Sequence, residues 1–487
     1  MKSNSNRCQC MLYFFVLQIA IFSPTSLGQL NHSGNEILLK APSDDCLFYS
    51  AWDYTTNPNS SSSNSQDRLL AEPDVQRFIG DVLNLTKTIP GELQINDDDT
   101  ESPVSPTVIN WFIDTWVLSP GCIFVDRLSF PKQGVPINAD FVLLARLADK
   151  FNSSQETIND LFVRFNAQLV NCEIGGLTFR KYLIANPDMP WELFVGGFEG
   201  NLIIGSNEQS IQRMLERING DAIPAWVNDL KNSNQQIERV TTIGKLDYER
   251  IEKIAMEGTK RQDTRVYKAL GFDKIQSIES VSGYTKTEMN TRVTVRFESE
   301  PDGIFDLFAK GAVDIAALKQ IPSDASIAGA FVLDGIELNH FLQQTMSQID
   351  VTISAAIGAG LLQLNQMTGV DMEAFVLENI GPTWSFYNPA GSSDNSWALR
   401  AAVGKKDDLQ VAVEALVDLF NRTFENMLAP GMEIEKIELP SGPHYTLTNE
   451  ELGQWRWTVK DQFLELVLSN VMQMRYKQKK RMLRIIS

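Results

Sequence analysis

Phe141–Leu147 reads FVLLARL, and what surrounds it decides the fold. Its apolar run, broken only by Arg146, is too short for an ordinary core helix, so it predicts a strand. Ser153-Ser154-Gln155-Glu156 follows as a capping box, in which a hydroxyl and a carboxylate three residues apart satisfy free helix amides. A helix is therefore expected from there to about Gln168. Glu173–Phe179 and Trp191–Val195 read as further strands, and Asn201–Asn207 (NLIIGSN) as another. Ser206 with Gln209 makes a second capping box, ahead of a helix over Ser210–Ile218. The order is strand, helix, several strands, helix.

The same rhythm returns later. Trp397–Val403 (WALRAAV) reads as a strand, and Asp407 with Gln410 starts a helix over Leu409–Asn421. Glu433–Leu439, Trp455–Val459 and Phe463–Asn470 read as strands, the last ending in Ser469-Asn470 as the earlier one ends in Ser206-Asn207. Each block is preceded by a proline-led turn and an apolar run: Ala41-Pro42-Ser43-Asp44-Asp45 before Cys46–Asp53, and Ile321-Pro322-Ser323-Asp324 before Ile327. Repetition of element order, capping positions and turn predicts an internal duplication.

The fold class that follows is α+β, two related units of mixed or antiparallel sheets flanked by helices. Residues 29–230 form the first unit and 319–470 the second, shorter unit, with a β-rich segment over 231–318 and a basic tail over 471–487. Within the middle segment, Val240–Leu246 predicts a strand leading into a helix at Asp247, and Ser280–Thr285 with Thr291–Glu298 predicts a hairpin. Between the first strand and FVLLARL, a helix from Pro73 carries Val75, Phe78, Ile79, Val82 and Leu83 on one stripe. Residues 87–107 read as an exposed connection. Ile353–Leu364 (ISAAIGAGLLQL) is the longest late apolar run and reads as a buried helix.

With 43% hydrophobic and 21% charged residues the chain is globular, and its 487 residues call for more than one core. Lys2 and Arg7 precede the apolar run Met11–Phe22, and Ser26 and Gly28 sit at the −3 and −1 positions of a cleavage site before Gln29. That is the layout of a secretory signal peptide over residues 1–28, so export to the periplasm, cell envelope or exterior is expected, with no transmembrane helix after cleavage. The formal charge is −18 although both ends are basic, so the body is more acidic still. Such a body repels phosphate backbones, which speaks against nucleic acid as a partner. The basic stretch Met474–Ile486 reads as a solvated end rather than a membrane helix, since its charges do not segregate on helical spacing.

Chemistry is thinly represented. His32, His340 and His444 are the only histidines, and no His-x-x-x-His or Cys-x-x-Cys spacing supports a metal site. Cys46, Cys122 and Cys172 remain after the leader; all sit near the starts of apolar runs, where a thiol behaves as a small hydrophobe, and no spacing singles out a disulfide. Gly205-Ser206-Asn207 lacks the second glycine of a nucleophile elbow, so Ser206 reads as a helix N-cap. Gly358-Ala359-Gly360 lacks the preceding strand of a dinucleotide site and reads as a packing or bend feature. Asp44 and Asp45 point to opposite faces of an extended chain and belong to turn chemistry. Asp97-Asp98-Asp99-Thr100-Glu101 lacks the glycine and terminal glutamate of a calcium loop. No catalytic, cofactor or metal residue is assigned.

Several phrases resemble exported planctomycete-type proteins that carry a domain of unknown function. They are APSDDCLFYSAWD from Ala41, LLAEPDVQRF over Leu69–Phe78, LIIGSN over Leu202–Asn207, TTIGKL over Thr241–Leu246, LGFDKIQSIESVSG over Leu270–Gly283 and IPSDASIAGAF from Ile321. The resemblance implies export and an α+β repeat, and supplies no activity or site residues. The expected function is a non-catalytic binding or structural component of the cell envelope, with an envelope protein or small ligand as partner. The alternatives are a secreted hydrolase with dispersed carboxylates and a carrier of an apolar ligand.

Overall fold

The computed structural model describes residues 36–469 apart from 54–58, 82–118, 130–137, 165–166, 185–190, 257–263, 314–318, 389–395, 425–433, 450–452 and single positions 221, 234, 238, 310, 320, 326, 441 and 461. The leader, His32, all of 87–107 with its acidic run 97–101, and the basic tail lie outside these. The protein is α+β with two separate sheets. It divides into two units that interleave along the chain: Met1–Lys260 with Ile275–Glu298, and Arg261–Lys274 with Ser299–Ser487.

Unit 1 is an antiparallel sheet of ten strands. They are β1 Phe48–Trp52, β2 Gly121–Ser129, β3 Asn138–Arg146, β4 Gln168–Ile174, β5 Leu177–Ile184, β6 Trp191–Phe198, β7 Asn201–Gly205, β8 Arg239–Asp247, β9 Ile275–Tyr284 and β10 Met289–Phe297. Their order across the sheet is β10-β9-β8-β1-β2-β3-β7-β6-β5-β4. The strands of residues 231–318 therefore do not stand apart; β8 to β10 extend the first sheet beyond β1.

Phe141–Ala145 is apolar because the sheet is covered on both faces there, while Arg146 at the strand end is exposed. Val142 and Leu144 join one core with Tyr49, Phe124, Ile203 and Met214, while Leu143 and Ala145 join another with Ile158, Tyr182 and Leu202. Alternate residues of a strand point to opposite faces, so one run feeds both layers. Each large side chain so buried contributes about 1.5–3 kcal/mol. Helix α1, Phe151–Arg164, packs on the second face, and α2, Glu208–Asn219, on the first.

Both predicted capping boxes of this block are corrected. A 3-10 turn over Ala148–Lys150 runs into α1, so Ser153 lies inside the helix, where its Oγ donates to Lys150 O at 3.0 Å. Helix α1 stops at Arg164, because Gln168 already belongs to β4. At α2 the N-cap is Asn207, whose side chain accepts from Gln209 N and Ser210 N. Ser206 Oγ instead donates to Ala139 O at 2.6 Å and accepts from Phe141 N at 2.9 Å, tying the end of β7 to β3. Residues 173–179 are not one strand but a hairpin turn, with Gly175 (φ 61°) and Gly176 (φ 77°) in the left-handed conformation that a two-residue turn demands.

Unit 2 is an antiparallel sheet of seven strands: β11 Ile327–Val332, β12 Ile380–Asn388, β13 Trp397–Val403, β14 Ile434–Leu439, β15 Gly442–Asn449, β16 Gly453–Val459 and β17 Phe463–Ser469. The order is β11-β12-β13-β17-β16-β15-β14. Position for position this is the winding of β1-β2-β3-β7-β6-β5-β4. Strand β15 escaped the sequence reading; Gly442-Pro443-His444 looks like a turn, yet His444 pairs with Ile437 on one side and Thr458 on the other.

The helices of unit 2 are α3 Gly335–Ile349, α4 Val351–Thr368 and α5 Lys406–Phe424, with short turns at Thr264–Ala269 and Ile304–Ala309. Asp334-x-x-Glu337 has the spacing of a cap before a helix over Gly335–Gln348, and Asp334 does cap α3, accepting from Ile336 N and Glu337 N. Helix α5 begins at Lys406, a turn before Leu409, and packs Val413, Val417 and Phe420 near Tyr445.

Helix α4 overturns the expectation of a buried helix. None of its residues is buried, and Val351 (69% exposed), Leu362 (59%) and Met367 (45%) face outward. Nor do Gly358 and Gly360 serve packing, for an added Cβ would meet nothing within 4 Å at either position. Replacing each by alanine is expected to stabilise the helix by about 0.5–1 kcal/mol per site, since glycine loses more backbone entropy. A rise in the urea midpoint checks it. In the stripe of the Pro73 helix, Phe78 is 66% exposed while Val75 and Ile79 are half-buried.

Two further features recur below. Glu465 accepts from Arg400 Nε at 2.7 Å, Tyr387 Oη at 3.0 Å and Lys460 Nζ at 2.9 Å, and Glu465 and Arg400 are only 12% and 13% exposed. Gly271 (φ 79°) and Gly303 (φ 61°) lie against each other's chain segments, so that a Cβ on Gly303 would sit 2.3 Å from the carbonyl carbon of Leu270.

Candidate functional site

On the α1 face of unit 1, the sheet and the helix leave an open cleft of about 840 Å³. Phe151, Gln155 and Asn159 face it from α1, spaced four residues apart and so stacked on one side of the helix. From the sheet come Leu169 and Asn171 of β4 and Thr178 and Arg180 of β5, again at alternate positions. Asn171 and Arg180 are direct cross-strand partners, which brings their side chains together. The β6–β7 turn, Glu199-Gly200, closes the rim.

That turn is costly. Glu199 has φ 49° and Gly200 φ 77°, both left-handed, and Ala148 beside it has φ 48°. Leu147 N and Ala148 N both donate to Gly200 O at 3.0 Å, which holds the pair in place. A left-handed conformation costs a residue with a Cβ about 1–2 kcal/mol, and asparagine or glycine would make the turn at lower cost. Glu199, so held, stands at the rim of the cleft.

The floor is fixed by Tyr182. Its ring stacks on Phe162 at 4.6 Å, and its hydroxyl donates to Asn159 Oδ1 at 3.4 Å, which sets the sense of the Asn159 amide. Burial pushes the Tyr182 phenol above its ordinary value, with Arg180 opposing, so the hydroxyl stays a donor at neutral pH. At Gly197 an added Cβ would lie 2.3 Å from the Phe151 ring, so the glycine lets that ring lie on the sheet.

The lining carries three amides, a threonine, an arginine and one carboxylate. Amide groups donate and accept on the same short side chain, as a sugar hydroxyl or a peptide unit does. Phe151, Leu169 and Phe198 supply the apolar part, and Leu169 is 46% exposed. A second cleft of about 440 Å³ is lined by Asp126, Arg127, Asp140 and Arg250, three of which hydrogen-bond within the fold. Asp126 accepts from Ser43 Oγ, Asp140 from Asn207 Nδ2, and Arg250 donates to Asp45 O.

None of the residues weighed from sequence enters the larger cleft as a reactive group. His340 is exposed on α3, and His444 lies in β15. Asp44 accepts from Ala225 N at 3.3 Å, a long-range bond to the first residue of the helix Ala225–Ser233 rather than a contact within its own turn. Cys46, Cys122 and Cys172 are free thiols; burial pushes Cys46 up to about 12, and Cys122 further, so neither offers a thiolate at neutral pH. Among the described residues no group of three or more His, Cys, Asp or Glu gathers as a metal site, and no helix is long and apolar enough to cross a membrane. Of the cleft residues only Gln155 was singled out in the sequence, as part of a capping box; the four-residue spacing Phe151, Gln155, Asn159 was the available signal. Comparison of the chain with protein-family models, curated proteins and solved structures finds no match.

Proposed function

We propose that the protein is an exported, non-catalytic binding component of the cell envelope, and that the unit 1 cleft holds a segment of a hydroxyl-rich polymer such as an envelope glycan. The observation that carries the reading is Glu199, held left-handed at the rim of a cleft lined by Gln155, Asn159, Asn171 and Arg180. The leader-like start of the chain supports export. Side chains that both donate and accept suit hydroxyl groups, and the apolar lining suits the carbon face of a sugar ring. Glu199 is the one carboxylate among the described lining residues, whereas glycoside hydrolysis ordinarily takes two.

Calorimetric titration of the chain from Gln29 onward with envelope polysaccharide fragments and with short peptides tests this. Saccharide binding is expected, with loss of at least about tenfold in affinity in Asn171→Ala and Arg180→Ala. Glu199→Asn is expected to raise stability by about 1 kcal/mol while weakening binding, because it relieves the turn and removes the carboxylate. A silent saccharide series, or release of sugar from the polymer by the wild-type chain, overturns the proposal.

A further inference from the structure

Strands β1 and β11 hold the same place in two sheets of the same winding, and they differ in one respect. Strand β1 has β2 on one side and β8 on the other, paired from Phe48↔Leu246 to Trp52↔Thr242. Strand β11 has β12 on one side, and among the described residues no strand on the other. Burial follows. Phe48 to Ala51 are all buried, whereas Ile327 is 56% exposed, Ala328 is exposed and the rest of β11 is half-buried.

An open sheet edge is a template for another strand, and proteins that keep such edges single place lysine, proline or a bulge there or cover the edge with a helix or loop. Ile304–Ala309 meets β11 near its end, Phe308 lying 6.4 Å from Phe331, while Ile327 at the other end stays exposed. Strand β11, Ile-Ala-Gly-Ala-Phe-Val, has no charge and no proline, and it runs against β12 in unbroken register from Ile327↔Asn388 to Val332↔Thr383. The chain as a whole carries −18, so two copies repel over most of their surface. The six residues of β11 add no like charge to that approach.

We propose that β11 pairs with β11 of a second copy, antiparallel about a two-fold axis, so that the two seven-stranded sheets run on as one. An edge strand meets its own copy antiparallel under two-fold symmetry, so one uncharged segment satisfies both partners. The β8 strand of a second copy is the less available occupant, being already held between β1 and β9. The inference is independent of the unit 1 cleft.

Sedimentation velocity on the chain from Gln29 onward, up to about 100 µM, reads the outcome. A reversible dimer is expected. Ile327→Lys, at an exposed position, is expected to raise its dissociation constant by at least about tenfold while leaving the thermal midpoint in place. Hydrogen exchange on the wild-type chain gives a second reading that needs no variant: protection over 327–332 is expected to rise with protein concentration. A wild-type monomer throughout the range, or a dimer unmoved by Ile327→Lys, overturns the proposal. So does dissociation by Leu362→Glu with Ile327→Lys ineffective, which assigns the contact to α4.

Discussion

Glu465→Ala is expected to destabilise unit 2 by about 3–5 kcal/mol, measured by chemical denaturation, because it leaves the Arg400 guanidinium nearly buried and without its counter-ion. The guanidinium lies over the rings of Tyr387 at 4.8 Å and Phe463 at 4.7 Å, which keep water from replacing the carboxylate. Glu465→Gln keeps the shape and one acceptor, so a smaller loss is expected. The same cluster gives a pH dependence. Burial alone would push the Glu465 carboxyl up, but hydrogen bonds from Lys460 and Arg400 outweigh it and hold the group below the ordinary range. A carboxylate depressed on folding contributes stability that is complete above its unfolded value, about 4.3, and drains as pH falls through the lower folded value. The slope of unfolding free energy against pH below about 4.3 should therefore shrink in Glu465→Gln.

Gly303→Val is expected to cost more than about 3 kcal/mol, with Gly271→Val close behind. At both positions two effects add. The left-handed φ penalises any residue with a Cβ, and the space where the Cβ would go is filled by main chain: Leu270 for Gly303, and Asp302 O at 2.2 Å for Gly271. Backbone cannot swing aside as a side-chain tip does. Ile304 N also donates to Leu270 O at 3.1 Å, so moving the segments apart breaks that bond as well. Gly358→Ala and Gly360→Ala on α4 should shift stability the opposite way, since both the conformation and the space there are open. Four glycines of one unit thus test whether conformation and contact, rather than residue type, decide the sign.

Sequence legibility followed the physics of each element. Strands β3, β7, β13 and β17 are readable because each carries a short apolar-rich run bounded by turns or caps, even with Arg400 inside β13 and Glu465 inside β17, and β13 keeps its predicted bounds. The N-cap Asp334 is readable because a carboxylate only accepts, so no main-chain carbonyl can claim it as one claims a serine hydroxyl. Ser153 and Ser206 carried the same spacing signal, yet main-chain carbonyls in the preceding turn and in β3 claimed their hydroxyls. Helix α4 misled because its 18 residues carry no charge, which ordinarily marks a core; hydropathy reports what a surface prefers, not what covers it. The cleft was not readable as a site. Its lining is spread over α1, β4, β5 and the β6–β7 turn, and only the strand order, with β4 reached by way of β7, β6 and β5, brings them to one face.

The interleaving of the two units has a consequence for synthesis. Unit 1 closes its sheet only with β9 and β10, which leave the ribosome after Arg261–Lys274, a piece that belongs to unit 2. A domain folding as it emerges would thus complete itself around a loop whose own companions, from Ser299 onward, do not yet exist. That loop carries Val266, still 48% exposed in the finished protein, and Phe272, whose rings of contact are Tyr267 and the later-made Phe305. For the time it takes to make the rest of the chain, this short hydrophobic piece is the natural ground for a chaperone to hold.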